Sequence, residues 1–378
     1  MRSALKEALL PSAAIAAALL LFGLFVWFAG VNPVEVWVLL FKGAFGDWYS
    51  WQNTLQRAAP LMLTALCVAI PARAGLVIIG GEGAVVLGGL ACAALAQLLP
   101  LPANLIGTVL VCAAGAVAGG LWIALAGWLR QYRGINETIS SLLLAYVAIG
   151  LFKHLTEGVL RDPGSLNKPS TYALDEGLRI GGIAGSDVHW GLVLGVLACL
   201  ATGLWLRITP SGFALGVVGG NPRTAQLVGL PASRLILLAC ALGGAAAGLA
   251  GAVEVAAVHT NANASLIAGY GYAGILVAFI ARQQPIAVIP VAILFGGFGA
   301  AGSLLQRRLG LPDASVVLLQ GIAFVLILAS EALRGTDWKA GWTRLVGSAM
   351  PQGATPRAPA VTGDTANSTA ARNAELVQ

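Results

Sequence analysis

The chain has 378 residues, of which 58% are hydrophobic and only 10% are charged, and its mean hydropathy is +0.83. Soluble domains carry roughly a quarter charged residues, so this composition argues against a water-soluble fold. The apolar residues form long blocks between short polar breaks, and blocks of about 18 residues can cross a bilayer. The sequence therefore predicts an all-α polytopic membrane protein.

Apolar segments recur along the whole chain, and they predict about ten transmembrane helices, with eight as the lower bound. The first follows a charged N-terminus but is longer than a signal-peptide core, so we expect it to be a retained span. The ten segments are 12–30, 54–70, 80–99, 104–128, 138–152, 189–206, 234–258, 266–281, 285–304 and 314–333.

The net charge of +6 is distributed unevenly among the connecting segments, and basic residues concentrate in cytoplasmic loops. This bias predicts cytoplasmic N- and C-termini, a periplasmic loop at 153–188 and a cytoplasmic loop at 207–234. We expect a transmembrane domain over 1–346. Residues 347–378 lack an apolar period and are rich in Ala, Pro, Ser, Thr and Gly, which is typical of a disordered cytoplasmic tail.

The third apolar segment opens with Gly81, Glu82 and Gly83. A dinucleotide-binding fingerprint would need G-x-G-x-x-G after a strand, and a P-loop would need a Gly-Lys pair, which the sequence lacks. Glu82 has three other interpretations. It could be favoured by the helix dipole in a first turn, it could face a translocation path, or it could belong to a proton relay, which would need further ionisable groups in the spans.

Two pairs of segments suggest an inverted internal repeat. Residues 81–83 (GEG) and 269–271 (GYG) each open an apolar segment, and 133–146 is similar to 309–322, with Glu137 opposite Asp313. In the predicted topology, the two copies enter the membrane from opposite sides. Repeats of this kind are typical of transporters, whose halves move around a central path.

Small residues elsewhere indicate close helix packing and no chemistry. Gly115-x-x-x-Gly119 and Gly244-x-x-x-Gly248 each place two glycines on one helix face, which lets neighbouring helices approach. The five cysteines all lie in apolar segments without metal-ligand spacing, so we expect buried thiols and no metal site.

The cytoplasmic loop contains a short predicted helix within "GGNPRTAQLVGLP" (219–231). Asn221 is suited to the N-cap, Pro222 to the first helical position and Gly229 to the C-terminal stop. Ala225, Leu227 and Val228 would give this helix an apolar side. Such a helix either lies on the membrane surface or inserts into a groove of a cytoplasmic partner.

Three stretches of the sequence resemble permease subunits of ABC importers for simple sugars and nucleosides. They are "GLVIIGGEGAVVLGG" (75–89), residues 209–255 and "GYGYAGILVAFIARQQP" (269–285). The resemblance covers about 55–335 and implies a fold like the type II importers in a bacterial inner membrane. Relatives often carry Asn at the position of Ile79 and Gln at that of Ala84, which weakens a direct substrate role for this segment.

The resemblance also implies partners: cytoplasmic ABC ATPase subunits, a second permease in a heterodimer or homodimer, and a periplasmic or lipid-anchored substrate-binding protein. We also expect contact with membrane lipid, and we expect no nucleic-acid partner. The implied ATPase-coupling helix maps onto Asn221, Pro222, Arg223, Ala225 and Gly229. The candidate translocation path comprises Gly81, Glu82, Gly83, Gly269, Tyr270 and Gly271.

The sequence thus predicts the permease subunit of an ATP-driven importer for a nucleoside, a nucleobase or a simple sugar. We expect no catalytic residue and no bound cofactor in this chain, because ATP and Mg²⁺ would be used by the partner ATPase. Two alternatives stay open: a secondary transporter coupled to an ion or proton gradient, and a membrane scaffold or receptor without transport activity.

Overall fold

The computed structural model describes residues 2–312 and 314–334. The described residues up to 331 belong to one compact unit. The predicted tail, 347–378, and the last part of the predicted transmembrane domain lie outside the described residues. The described part of the chain is helical and contains no β-strand beyond two isolated bridges.

Thirteen α-helices follow one another along the described residues. They are α1 (Arg2–Phe28), α2 (Pro33–Phe41), α3 (Trp48–Ala72), α4 (Gly81–Leu98), α5 (Leu105–Arg133), α6 (Glu137–Glu157), α7 (Gly191–Ile208), α8 (Pro210–Gly220), α9 (Pro222–Leu227), α10 (Ala232–Val253), α11 (Tyr270–Ile280), α12 (Pro285–Leu309) and α13 (Ala314–Arg334). Two π-helical turns, Lys42–Gly46 and Glu254–His259, follow α2 and α10.

Each of the ten predicted apolar segments contains an α-helix. Within the described residues, seven helices are long and apolar enough to cross a membrane, and three shorter apolar helices accompany them: Ala13–Phe28, Ala264–Ile280 and Ala314–Ser330. The predicted polytopic all-α fold is confirmed. Helices α2 and α8 were not predicted, although each begins with a strong signal: Asn32 and Thr209 accept N-cap hydrogen bonds and proline follows each of them.

Helix α3 lies at the centre of the molecule. In its most apolar stretch 78% of the residues are buried, and it contacts α7, α10, α11 and α12. Helices α6 and α7 lie at the periphery, with 28% and 22% of their apolar stretches buried. Apolar side chains left exposed on such peripheral helices are those that hydrocarbon would cover in a bilayer.

Glycines bring α4, α5 and α10 into backbone contact. A Cβ on Gly119 would collide with the Gly244 carbonyl and with the Gly248 backbone, and a Cβ on Gly248 would collide with the Gly115 carbonyl. Gly88 of α4 packs against Gly248 as well. The predicted packing role of both G-x-x-x-G pairs is confirmed.

The predicted outer loop is ordered along the connection between α6 and α7. It is fastened to the segment after α10 by main-chain hydrogen bonds, from Thr171 N–H to the Ala262 carbonyl (3.0 Å), from Leu174 N–H to Thr260 (2.7 Å) and from Ile180 N–H to Ala256 (2.9 Å). Buried leucines from the loop, including Leu174, pack beneath it. The loop is therefore part of the rigid body and not a loose linker.

The second pair of repeat segments has the same local structure in both copies. Gly134 ends α5 and Gly310 ends α12, each in the left-handed conformation with φ of 66° and 67°. A short connection then leads into α6 or α13. Glu137 lies 3.1 Å from Arg130 (Oε2 to Nη1), whereas its predicted counterpart, Asp313, lies outside the described residues.

Candidate functional site

The starts of α4 and α11 meet inside the protein. Gly81 lies against Gly271: a Cβ added to Gly81 would be 3.6 Å from the Gly271 Cα. A Cβ added to Gly271 would overlap the backbone of Glu82. Glycine at position 271 therefore permits the two helix starts to touch. The GEG and GYG sequences, at 81–83 and 269–271, form one site.

Glu82 joins these two helix starts through both of its carboxylate oxygens. Its Oε1 accepts a hydrogen bond from Gly269 N–H (2.8 Å) and its Oε2 accepts one from Gly271 N–H (2.6 Å). The residue has 0% exposure. Unpaired N–H groups and the positive end of the dipole make a helix start attractive to a carboxylate. The Glu82 side chain thus offsets the repulsion between two like dipole ends.

Neighbouring elements hold this site in place. Ile79 N–H donates to the Ser141 hydroxyl of α6 (3.1 Å), and Gly80 packs so closely on the Ser141 backbone that a side chain would not fit. Gly83 packs against Ala145, one turn further along α6. The segment leading into α4 is therefore fixed by α6 on one side and by α11 on the other.

The structure brings together all six residues of the predicted translocation path. Gly81, Glu82, Gly83 and Gly271 are buried, and Gly269 and Tyr270 are half-buried. Their place on a solute path stays a prediction. In this conformation each oxygen of the Glu82 carboxylate accepts a hydrogen bond from a backbone N–H group, and the residue has no exposed surface.

A second pair of ionisable side chains lies at the π-helical turn after α10. Glu254, itself buried, has its Oε2 3.6 Å from Nε2 of His259. Helical periodicity does not predict this pair, because the two residues are five positions apart and a regular α-helix places residues three or four apart side by side. The π-turn produces the contact.

Helix α9 has the predicted ends. The Asn221 side chain accepts hydrogen bonds from the N–H groups of Arg223 (2.9 Å) and Thr224 (3.2 Å), and Pro222 occupies the first helical position. Gly229 has φ of 81°, and the next residue, Leu230, donates from its N–H to the Ala225 carbonyl (2.9 Å). This is the geometry of a glycine-terminated helix.

The apolar residues of α9 and of its C-cap, Val228, are divided between two faces, which differs from the predicted single apolar side. Ala225 is fully buried in the main core, whereas Leu227 is 87% exposed and Val228 is 66% exposed. Arg223 is also exposed. The helix is therefore anchored on the body by one small residue and presents two larger apolar side chains outward.

Comparison with known proteins gives consistent matches over most of the chain. The sequence model of the family described as "Branched-chain amino acid transport system / permease component" matches residues 50–328. The glucose ABC transporter permease of Haloferax volcanii is 31% identical over 85% of this chain and 87% of its own length.

Two further relatives are permeases named for nucleosides. The guanosine ABC transporter permease of Bacillus subtilis is 27% identical, over 87% of this chain and 95% of its own length. The nucleoside ABC transporter permease of Lactococcus lactis is also 27% identical, over 90% of this chain and 100% of its own length. With the polytopic helical fold, these matches establish that the chain belongs to the branched-chain amino acid transport system permease family and is a multi-pass membrane permease subunit of an ABC importer, not itself an enzyme.

Proposed function

We propose that this permease carries a nucleoside or nucleobase, or else a simple sugar, across a bacterial inner membrane. Two of the three relatives described above are named for guanosine or nucleosides and one for glucose, which supports this solute class. The polar side chains within the spans are few, so the specificity resides mainly in a separate binding protein. That protein docks on the ordered loop between α6 and α7.

The proposed partners on the opposite side are two cytoplasmic ABC ATPase subunits, which bind ATP and Mg²⁺. Helix α9 inserts into a groove of one ATPase and transmits its movement to the spans. The observation that carries this proposal is the pair of exposed side chains, Leu227 and Val228, on a helix that is capped at both ends. Large apolar groups at such a position are typical of docking anchors.

The movement has a contiguous route into the membrane domain. Ala225 is packed in the same core as α3 and α10, and α8 leads from α9 back to the end of α3, where Gly219 packs on the Arg73 carbonyl. ATP binding can shift the spans only by favouring one of their arrangements over another. A second permease subunit, in a heterodimer or homodimer, completes the solute path. In the proposed orientation, the N- and C-termini of this chain are cytoplasmic.

The docking role of α9 is tested by co-purification of the permease with its ATPase. Leu227→Arg places a charge on the exposed anchor without disturbing the core, so we expect at least a tenfold loss of bound ATPase, about 1.4 kcal/mol or more, with unchanged permease yield and thermal stability. Leu227→Met keeps an apolar anchor and retains the ATPase.

A second control separates α9 from its surroundings. Ile135 is 44% exposed in the connection between α5 and α6, which the charge bias assigns to the same side. Ile135→Arg adds the same charge outside α9 and leaves ATPase binding unchanged. If Leu227→Arg kept full ATPase binding, or if Ile135→Arg abolished it equally, the docking assignment would be wrong.

A further inference from the structure

A cavity of about 490 Å³ opens where the ends of α3 and α7 meet α8 and the start of α12. It lies beside α8 and therefore at the same end of the molecule as α9. Its walls include polar, small and large apolar residues from all four elements: Arg73, Arg207, Phe213, Gly216, Gln284 and Ile286.

The cavity walls are held by close backbone packing. Gly219 of α8 lies against the Arg73 carbonyl, and Gly203 of α7 packs on the Ile286 side chain. The corner between α7 and α8 is fixed by Thr209, whose hydroxyl caps α8 through Gly212 N–H (3.1 Å), and by the hydrogen bond from Trp205 Nε1 to the Ser211 hydroxyl (2.9 Å). The cavity is therefore a formed feature of the fold.

The cavity has a positive electrostatic character. Among the residues that the structure describes, Arg73 and Arg207 line it and no acidic residue does. Within the described part of the chain neither arginine makes an ion pair. The N-terminus of α12, where the Gln284 side chain makes no capping hydrogen bond, adds the positive end of a helix dipole. These features favour an anion, and the planar guanidinium group is well suited to phosphate.

The surroundings of the cavity are apolar and exposed. Phe213 is 74% exposed, Ile208 is 69% exposed and Leu204 is 58% exposed. Leu204 and Ile208 lie four residues apart on one face of α7, the peripheral helix with the smallest buried share among the seven candidate spans. A ligand that combines an anionic head with apolar tails matches both surfaces, whereas a free phosphate ion matches only the cavity.

We propose that this cavity binds the phosphate head group of an anionic phospholipid from the leaflet at the α9 end of the molecule. Arg73 and Arg207 contact the phosphate, and the acyl chains lie along Leu204, Ile208 and Phe213. Basic pockets between transmembrane helices bind anionic head groups in this way. The lipid connects the end of α7 and the start of α12 with α8, the helix that precedes α9.

The test measures retention of phosphatidylglycerol by the full chain in detergent, using native mass spectrometry, with phosphatidylcholine as the uncharged comparison. We expect wild-type protein to retain phosphatidylglycerol selectively. The double variant Arg73→Gln/Arg207→Gln should lose this retention by about tenfold or more. Arg234→Gln, which removes an exposed arginine that does not line the cavity, should retain the lipid as wild type does.

A charge-neutral variant tests the cavity itself. Gly216 lines the cavity, and a Cβ there would meet no atom within 4 Å, so Gly216→Leu fills the space without disturbing α8. Gly220 has the same open surroundings but does not line the cavity, and Gly220→Leu is the matched control. We expect lipid loss with Gly216→Leu and retention with Gly220→Leu.

Three results would overturn the proposal. Equal retention of phosphatidylglycerol by wild type, the double variant and Gly216→Leu would show that the lipid binds elsewhere. Displacement of phosphatidylglycerol by millimolar inorganic phosphate would identify the site as one for soluble anions. Release of the lipid when the ATPase binds, with protection of the two arginines by that subunit, would assign the cavity to an acidic segment of the partner.

Discussion

Glu82 is a buried carboxylate whose two oxygens are both used by the main chain of another helix. The donors, Gly269 N–H and Gly271 N–H, would be without intrahelical partners at the start of α11, so the carboxylate satisfies groups that would otherwise be buried and unpaired. The contact also joins the two candidate repeat halves. It is a structural link at the position where a path between those halves would run.

Removal of the Glu82 carboxylate is expected to destabilise the protein markedly. Glu82→Ala leaves two buried N–H groups unpaired and should lower the free energy of unfolding by about 2–6 kcal/mol, because each of the two groups costs roughly 1–3 kcal/mol. Glu82→Gln keeps the shape and one acceptor, so its loss should be about half as large. Thermal unfolding in detergent measures both.

The matched control for Glu82 is Glu157, an exposed carboxylate at the end of α6. Glu157→Gln should leave the unfolding midpoint within error of wild type. Equal midpoints for Glu82→Ala and Glu157→Gln would contradict the structural role of the two hydrogen bonds.

The sequence identified the residues of this site but not their contacts. The GEG (81–83) and GYG (269–271) sequences were recognisable as helix starts, and Glu82 as an acid in a first turn. The pairing of Glu82 with Gly269 and Gly271 depends on tertiary packing between residues 187 positions apart, which no local pattern encodes. The Glu254–His259 contact was missed for a different reason, since it arises from a π-turn in place of regular helix.

At the scale of helices, the crossing of α5 and α10 depends on glycine more than on side-chain interlocking. A side chain added to Gly248 would collide with the backbone of α5. Without a hydrophobic driving force between helices in lipid, close backbone contact is a main source of their association.

Enlarging Gly248 should therefore separate these helices. Gly248→Ala is expected to reduce the free energy of unfolding by about 1–3 kcal/mol, the usual cost of overpacking. Gly150→Ala in α6, where a Cβ meets no atom within 4 Å, is the control and should be neutral or slightly stabilising. The measurement is the apparent unfolding midpoint in detergent, and a midpoint for Gly248→Ala at or above that of Gly150→Ala would refute this account of the crossing.

Hydropathy predicted the ten apolar helices well because a membrane imposes one requirement on all of them, an apolar stretch with internally satisfied backbone groups. The same criterion could not find α2 or α8, which are 9 and 11 residues long. Their signals were local: Asn32–Pro33 and Thr209–Pro210 have the same cap-then-proline order as Asn221–Pro222, which correctly predicted α9.

At the scale of the whole molecule, the proposed mechanism separates the energy source from the path. The spans pack closely through glycine backbone contacts and contain few ionisable groups. The exposed apolar side chains proposed to dock on the ATPase, Leu227 and Val228, lie at the end of α9. Force applied at Leu227 would reach α3 and α10 through the buried Ala225. This chain is then a moving part whose cycle depends on ATP hydrolysis in another subunit.

The most direct test of that dependence is solute accumulation by proteoliposomes that contain the permease, assayed with radiolabelled nucleosides and glucose. We predict accumulation only when the ATPase, ATP with Mg²⁺ and the binding protein are all present, and we predict that Leu227→Arg abolishes it. Accumulation driven by an ion or proton gradient in vesicles that lack the ATPase would show that the permease is a secondary transporter and not an ATP-driven one.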